Sequence, residues 1–175
     1  KTDSHHFTLI PSEDNTTLHM VVAFSKNEPE RDLPAFPEVL GASRNSWQAF
    51  WSSGGAVDLS GSKDELAQEL ERRIVLSQYL TRVQNAGSLP PQESGLTHSS
   101  WHGKFHTEMI WWNTAHYLLW GRDRFLRRIY HWYADNLETA GNVARQQGYR
   151  GARWSKMVGP DGRESSLRQI LPERE

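Results

Sequence analysis

The chain reads as mainly α-helical, with a β-hairpin at its front. Three observations lead there: a helix-start signature followed by apolar residues at helical spacing, two further stretches of helical periodicity, and alternation confined to the first 25 residues. At 175 residues, 37% hydrophobic and 23% charged, the chain can fill a core and is far from the composition of disordered segments. Twenty Lys and Arg against 21 Asp and Glu give a net charge of −1, so no global field gathers phosphate backbones or anionic lipid. The expectation is no nucleic-acid partner and no membrane partner. With no cysteine, disulfides, thiolate metal sites and cysteine nucleophiles are excluded. The unusual count is eight tryptophans, all between Trp47 and Trp154.

Residues 7–24 contain FTLI and LHMVVAFS around the turn-rich PSEDNTT, a hairpin pattern that calls for a larger sheet around it. Residues 26–37 carry three prolines and mixed charge and read as a connection. A helix is predicted from Glu38 to Trp51, with Trp47, Phe50 and Trp51 as an aromatic stripe and Gly54-Gly55 closing it. Ser62-Lys63-Asp64-Glu65 matches the capping box and predicts a long helix starting there. Leu66, Leu70, Ile74, Leu76, Leu80 and Val83 form its expected buried stripe, and Gly87 with Pro90-Pro91 stops it. Phe105 to Trp120 is apolar on nearly every face and predicts a helix buried on all sides. Asp123 to Gln147 continues as helix, with Phe125, Leu126, Ile129, Trp132 and Tyr133 on one face and Arg124, Arg127 and Arg128 in solvent. From Gly148 a loop is expected, with a short helix near Leu167.

Chemistry is concentrated in Leu89–Trp112, which joins a polar loop to the start of the Phe105–Trp120 helix. His106 and Glu108 then fall in a first helical turn, where the macrodipole and free N–H groups favour a carboxylate or a ligand. Glu93, Glu108, His102, Lys104, His106 and Trp101 converge as sugar-binding or acid–base groups, with Gln92 at the rim. A capping or ion-pairing carboxylate is the plain alternative for Glu108, and a satisfied core histidine for His106 and His116. His98, His102 and His106 have metal-ligand spacing, but Gly103 and the serine-rich loop argue against one helix holding them. No metal and no cofactor is expected. The absence of H-E-x-x-H, a phosphate-binding glycine loop and G-x-S-x-G removes support for metalloprotease, nucleotide-handling and hydrolase-fold readings.

The string WHGKFHTEMIWW, followed by a helical stretch and QGYRGARWSKMVGPDGRES, resembles the core of the six-hairpin (α/α) glycosidases, the group with maltose phosphorylase-like glycoside hydrolase family 65 and α-L-fucosidase-like family 95. In those relatives an x-T-E motif lines the subsite around the cleaved bond, and His106-Thr107-Glu108 matches it here with histidine in place of an acid or amide. GYRGARWSKM followed by DGRES is similar to their GY-x-GA…DG-x-E loop, through Gly148, Tyr149, Gly151, Ala152, Asp161, Gly162 and Glu164.

The resemblance implies a partial (α/α)6 toroid preceded by a β-hairpin from a β-sandwich: residues 1–25 as the end of the sandwich, 26–61 as a linker with a helix, and 62–175 as the first hairpins. Six hairpins need twelve helices and four or five are expected, so the chain matches the front of a catalytic domain whose general acid lies further on. It implies an inverting glycoside hydrolase acting on an oligo- or polysaccharide, with the remainder of the same polypeptide as a partner. Glu108 is the catalytic candidate, and Trp101, His102, Lys104, His106, Gln92, Glu93, Trp154 and Glu164 are the substrate-binding candidates. Trp47, Trp51, Trp111, Trp112, Trp120 and Trp132 are expected mostly to pack. A chain starting at Lys1 reads as a processed or cut piece, and Asn15-Thr16-Thr17 is a glycosylation sequon, so an extracellular or secretory-pathway setting is expected. The rival readings are a non-catalytic carbohydrate-binding helical module and a scaffold whose tryptophans are all core.

Overall fold

A computed structural model describes residues 6–11, 16–25, 27–28, 32–94 and 103–165. The chain divides into two compact units, Lys1–Ser52 and Ser53–Glu175. The described residues are mainly helical, with one two-stranded sheet.

In the first unit, the described residues of 7–24 carry no strand ladder, so the expected hairpin is not seen among them. Phe7, Leu9, Ile10, Leu18, Met20, Val22 and Phe24 are all exposed, Phe24 to 97%. A two-stranded ribbon is marginal unless one face is covered, and burial of these side chains is what is missing. Helix α1, Phe36–Ser52, agrees with its prediction to within two residues. Pro37 sits in its first turn, and the Glu38 carboxylate accepts the Ala35 N–H at 2.8 Å, which satisfies one of the free donors of a helix start. Phe50 is buried and meets Trp47 and Trp51 edge-on, while Trp47 and Trp51 stack at 6.4 Å.

The second unit holds α2 (Ala67–Asn85), β1 (Phe105–His106), α3 (Thr107–Thr114), α4 (His116–Leu119), α5 (Asp123–Asp135), α6 (Leu137–Gln146) and β2 (Met157–Val158). Helix α2 begins five residues after the predicted start. Ser62 Oγ accepts the Asp64 N–H at 3.2 Å and Asp64 Oδ1 accepts the Leu66 N–H at 2.8 Å, so these residues build a turn ahead of the helix rather than its cap. The predicted leucine stripe is also corrected. Leu66, Leu70, Leu76 and Leu80 are exposed, and the buried positions are Ala67 and Gln78. Gln78 lies inside because its Oε1 accepts a 2.6 Å bond from Arg122 Nη1, both side chains being buried. A charge-assisted bond of this kind overrides the apolar pattern. Gln78→Leu is expected to lower stability by about 1.5–3 kcal/mol despite its added hydrophobicity, and urea denaturation checks this. An unchanged midpoint would make the pair incidental. By contrast, Glu69 lies at the surface: its carboxyl is held at about 2 by hydrogen bonds from Arg72 and Arg73, and pairs of that kind at the surface add little stability.

The expected single helix 105–120 is divided. Its first two residues are strand, α3 ends at Thr114, and α4 is one turn. It is not buried on all sides either: Ile110, Thr114 and Tyr117 face inward, whereas Trp111, Trp112, Leu118 and Leu119 are exposed, which corrects the packing role expected of Trp111 and Trp112. The 123–147 stretch breaks at Asn136 into α5 and α6. Its predicted face holds: Phe125, Leu126, Ile129 and Trp132 are buried, and Tyr117 packs on Phe125 at 5.1 Å while its hydroxyl donates to Thr81 O. At the break, Gly162 adopts φ +72°, and a Cβ there would meet Asn136 Cβ at 2.9 Å. The loop thus closes onto the α5–α6 junction only with glycine at 162.

Candidate functional site

Strand β1 pairs antiparallel with β2, Phe105 opposite Val158 and His106 opposite Met157. Single bridges extend this ladder at both edges, Gln92 to Phe105 and Val158 to Glu164. The loop after 148, expected to be irregular, therefore supplies a strand. Phe105, Trp132 and Val158 form a buried cluster beneath it, with Tyr133 and Trp154 packed against them. Trp132 Nε1 donates to Pro160 O at 2.7 Å, which satisfies its one polar atom and fixes the loop on α5. Thr107 adds a second tie across the same junction, through its N–H to Lys156 O at 2.9 Å and its Oγ1 to Ser155 O at 3.1 Å. The two segments that carry the x-T-E and DG-x-E strings are joined side by side.

This pairing places His106 between two carboxylates. Its Nδ1 lies 3.1 Å from Glu93 Oε2, and its Nε2 lies 3.9 Å from Glu108 Oε2. His106 is buried, Glu93 is half-buried and Glu108 is exposed. Glu108 stands in the first turn of α3, where the helix dipole favours its charge, and Lys156 Nζ lies 3.4 Å from the same oxygen. The solvent end of the string is thus a carboxylate held between an ammonium and an imidazole, with most of its side chain open to accept hydroxyl protons.

Glu93 Oε2 and His106 Nδ1 are at ion-pair distance, but their angle falls outside hydrogen-bond geometry. Both atoms, with His106 Nε2, Trp154 Nε1, Ser155 Oγ and Asn85 Oδ1, are buried without a hydrogen-bond partner among the described residues. Such atoms are few in folded proteins and each costs about 1–3 kcal/mol.

Of the residues singled out by sequence, Glu93, His106 and Glu108 come together. Gln92 lies beside them in the ladder and lines a 640 Å³ cavity with Pro90, Pro91 and Phe105. Lys104 is half-buried directly before β1. Trp154 is half-buried and packs at a steep angle against Tyr133, ring centroids 5.5 Å apart, beside the cluster beneath the ladder. Burial there pushes the Tyr133 phenol up to about 12. Glu164 is exposed and joins the ladder only through its backbone. Trp101, His102 and His98 lie outside the described residues. Among the described residues, no three His, Asp or Glu side chains are grouped as metal ligands.

Sequence reasoning missed Lys156 and a second groove. The groove, 290 Å³, runs between α2 and the α3–α4 segment and is lined by Trp112, Asn113, His116, Asn85, Thr81 and Glu93 among others. Nothing local points to Lys156, because its partners are about 50 positions away in sequence. Trp112 was hidden by the assumption of all-round burial.

No family model, no curated protein and no solved structure matches the chain. No helix among the described residues is long and apolar enough to cross a membrane.

Proposed function

We propose that this chain forms one wall of the sugar-binding cleft of an inverting glycoside hydrolase, built on the first helical hairpins of an (α/α)6 toroid. The observation that carries the reading is the β1–β2 pairing, which sets Glu93, His106 and Glu108 in a row with the last of them facing solvent. In inverting chemistry one carboxyl gives a proton to the leaving oxygen while another group activates water on the opposite face, with ~6.5–9.5 Å between them. Glu108 is the group here that meets ligand: its carboxylate accepts a sugar hydroxyl or takes the proton of a water. His106 and Glu93 stand behind it as charged or polar neighbours, the imidazole 3.9 Å from Glu108 and 3.1 Å from Glu93.

A second reading is favoured by one detail. Glu93 approaches the imidazole from the side opposite Glu108, so the two carboxylates bracket a ring rather than a water. That arrangement suits a carbohydrate-binding wall without turnover. Both readings predict that neutral oligosaccharides at millimolar concentration change the intrinsic fluorescence, since Trp111 and Trp112 are exposed beside the cluster. An unchanged spectrum across a panel of oligosaccharides would remove both. Release of reducing ends separates the hydrolase from the binding module.

A further inference from the structure

We infer that the groove between α2 and α3–α4 is a subsite for one uncharged sugar ring, adjoining the Glu93–His106–Glu108 row and excluding acidic or phosphorylated sugars. The inference rests on the carbohydrate reading above and adds a place and a substrate class to it.

Four observations support it. The volume, 290 Å³, lies at the lower edge of the ~300–1,000 Å³ of small-molecule pockets, a size for a single ring rather than for a nucleotide or a peptide. One wall is Trp112, 68% exposed, on the helix that presents Glu108. An indole face is a good partner for the C–H face of a pyranose. Asn85 and Asn113 line it too and are tied in place, Asn85 Nδ2 donating to Asn113 O at 3.0 Å. Glu93 lines the groove as well as touching His106, so one carboxylate serves both places and makes them neighbours.

The charge of the lining selects the ligand. Among the described residues that line it, Glu93 is the one carboxylate, His116 is the one side chain able to carry a positive charge, and there is no Lys or Arg. Phosphate and uronate recognition uses arginine or lysine, so an anionic sugar would meet the Glu93 charge with only the imidazole of His116 to offset it. Neutral hydroxyls, in contrast, can donate to the other carboxylate oxygen of Glu93 and accept from the Asn113 amide.

Calorimetric titration of the chain with maltose, cellobiose, glucuronate and glucose 6-phosphate tests this. The neutral disaccharides are expected to saturate, and the two anions to bind at least about tenfold more weakly at low salt. Trp112→Ala is expected to weaken neutral-sugar binding by at least about fivefold and Trp112→Phe to recover most of it, without change in the circular dichroism. Anions binding as tightly as neutral sugars, Trp112→Ala binding like wild type, or no neutral sugar binding at all would each overturn the subsite. The glycosidase reading stands or falls separately: loss of sugar turnover in Glu108→Gln with wild-type behaviour of Trp112→Ala would keep the hydrolase and discard the subsite. Retained turnover in Glu108→Gln with weakened binding in Trp112→Ala would do the reverse.

Discussion

Trp132→Ala is expected to lower the stability of the second unit by about 3–5 kcal/mol, the largest effect of any single truncation in it. Trp132 is 2% exposed, meets Phe105 edge-on at 5.7 Å, touches Tyr133 at 5.1 Å, and donates to Pro160 O. Truncation leaves a cavity under the ladder and at the same time strands a carbonyl. Because β1 and β2 are two residues each, that cluster rather than their hydrogen bonds keeps them paired. Weaker sugar binding should therefore accompany the lower urea midpoint. Trp132→Phe, which refills the cavity but leaves Pro160 O unpaired, should recover about half of the loss. A midpoint shift under 1 kcal/mol for the alanine variant would mean that the ladder does not depend on this side chain.

The second large effect is chemical. Under the proposed hydrolase reading, Glu108→Gln is expected to reduce kcat/KM by about 10²–10⁴, the usual contribution of a positioned acid or base. Glutamine keeps the shape and still accepts hydrogen bonds, so KM should change much less than kcat. The same substitution removes the charge that faces Lys156 at 3.4 Å, a pair in solvent on both sides, so stability should hold within about 0.5 kcal/mol. Loss of turnover together with a large loss of stability would assign Glu108 to the fold, and wild-type turnover would remove it from the site.

What could be read from the sequence was local. The α1 boundaries followed from the proline-bearing connection before it and Gly54-Gly55 after it, and the buried face of α5 followed from 3.6-residue periodicity, because both signals lie within a few positions of the residues they govern. His106, Glu108 and Glu93 could be gathered as candidates because one loop joins them. What depended on distant partners could not. Gln78 is inside α2 because of Arg122, 44 positions on, and the leucines on its other faces remain exposed. Strand β2 exists because Phe105 and His106 lie alongside it; Met157 and Val158 alone carry no pattern. The front stretch differs for the opposite reason: its alternation was legible, but Leu9, Ile10, Leu18, Met20, Val22 and Phe24 stay exposed.

The central claim is that a sugar docks at the Glu93–His106–Glu108 row. It is tested most directly by following the His106 side-chain nitrogens by NMR while maltose or cellobiose is titrated into the isotopically labelled chain. The account predicts that the His106 resonances shift and saturate in step with the Trp112 indole N–H, because Glu93 joins the two places. His106 resonances that stay fixed while sugar saturates the protein elsewhere, or that no sugar moves, would contradict it.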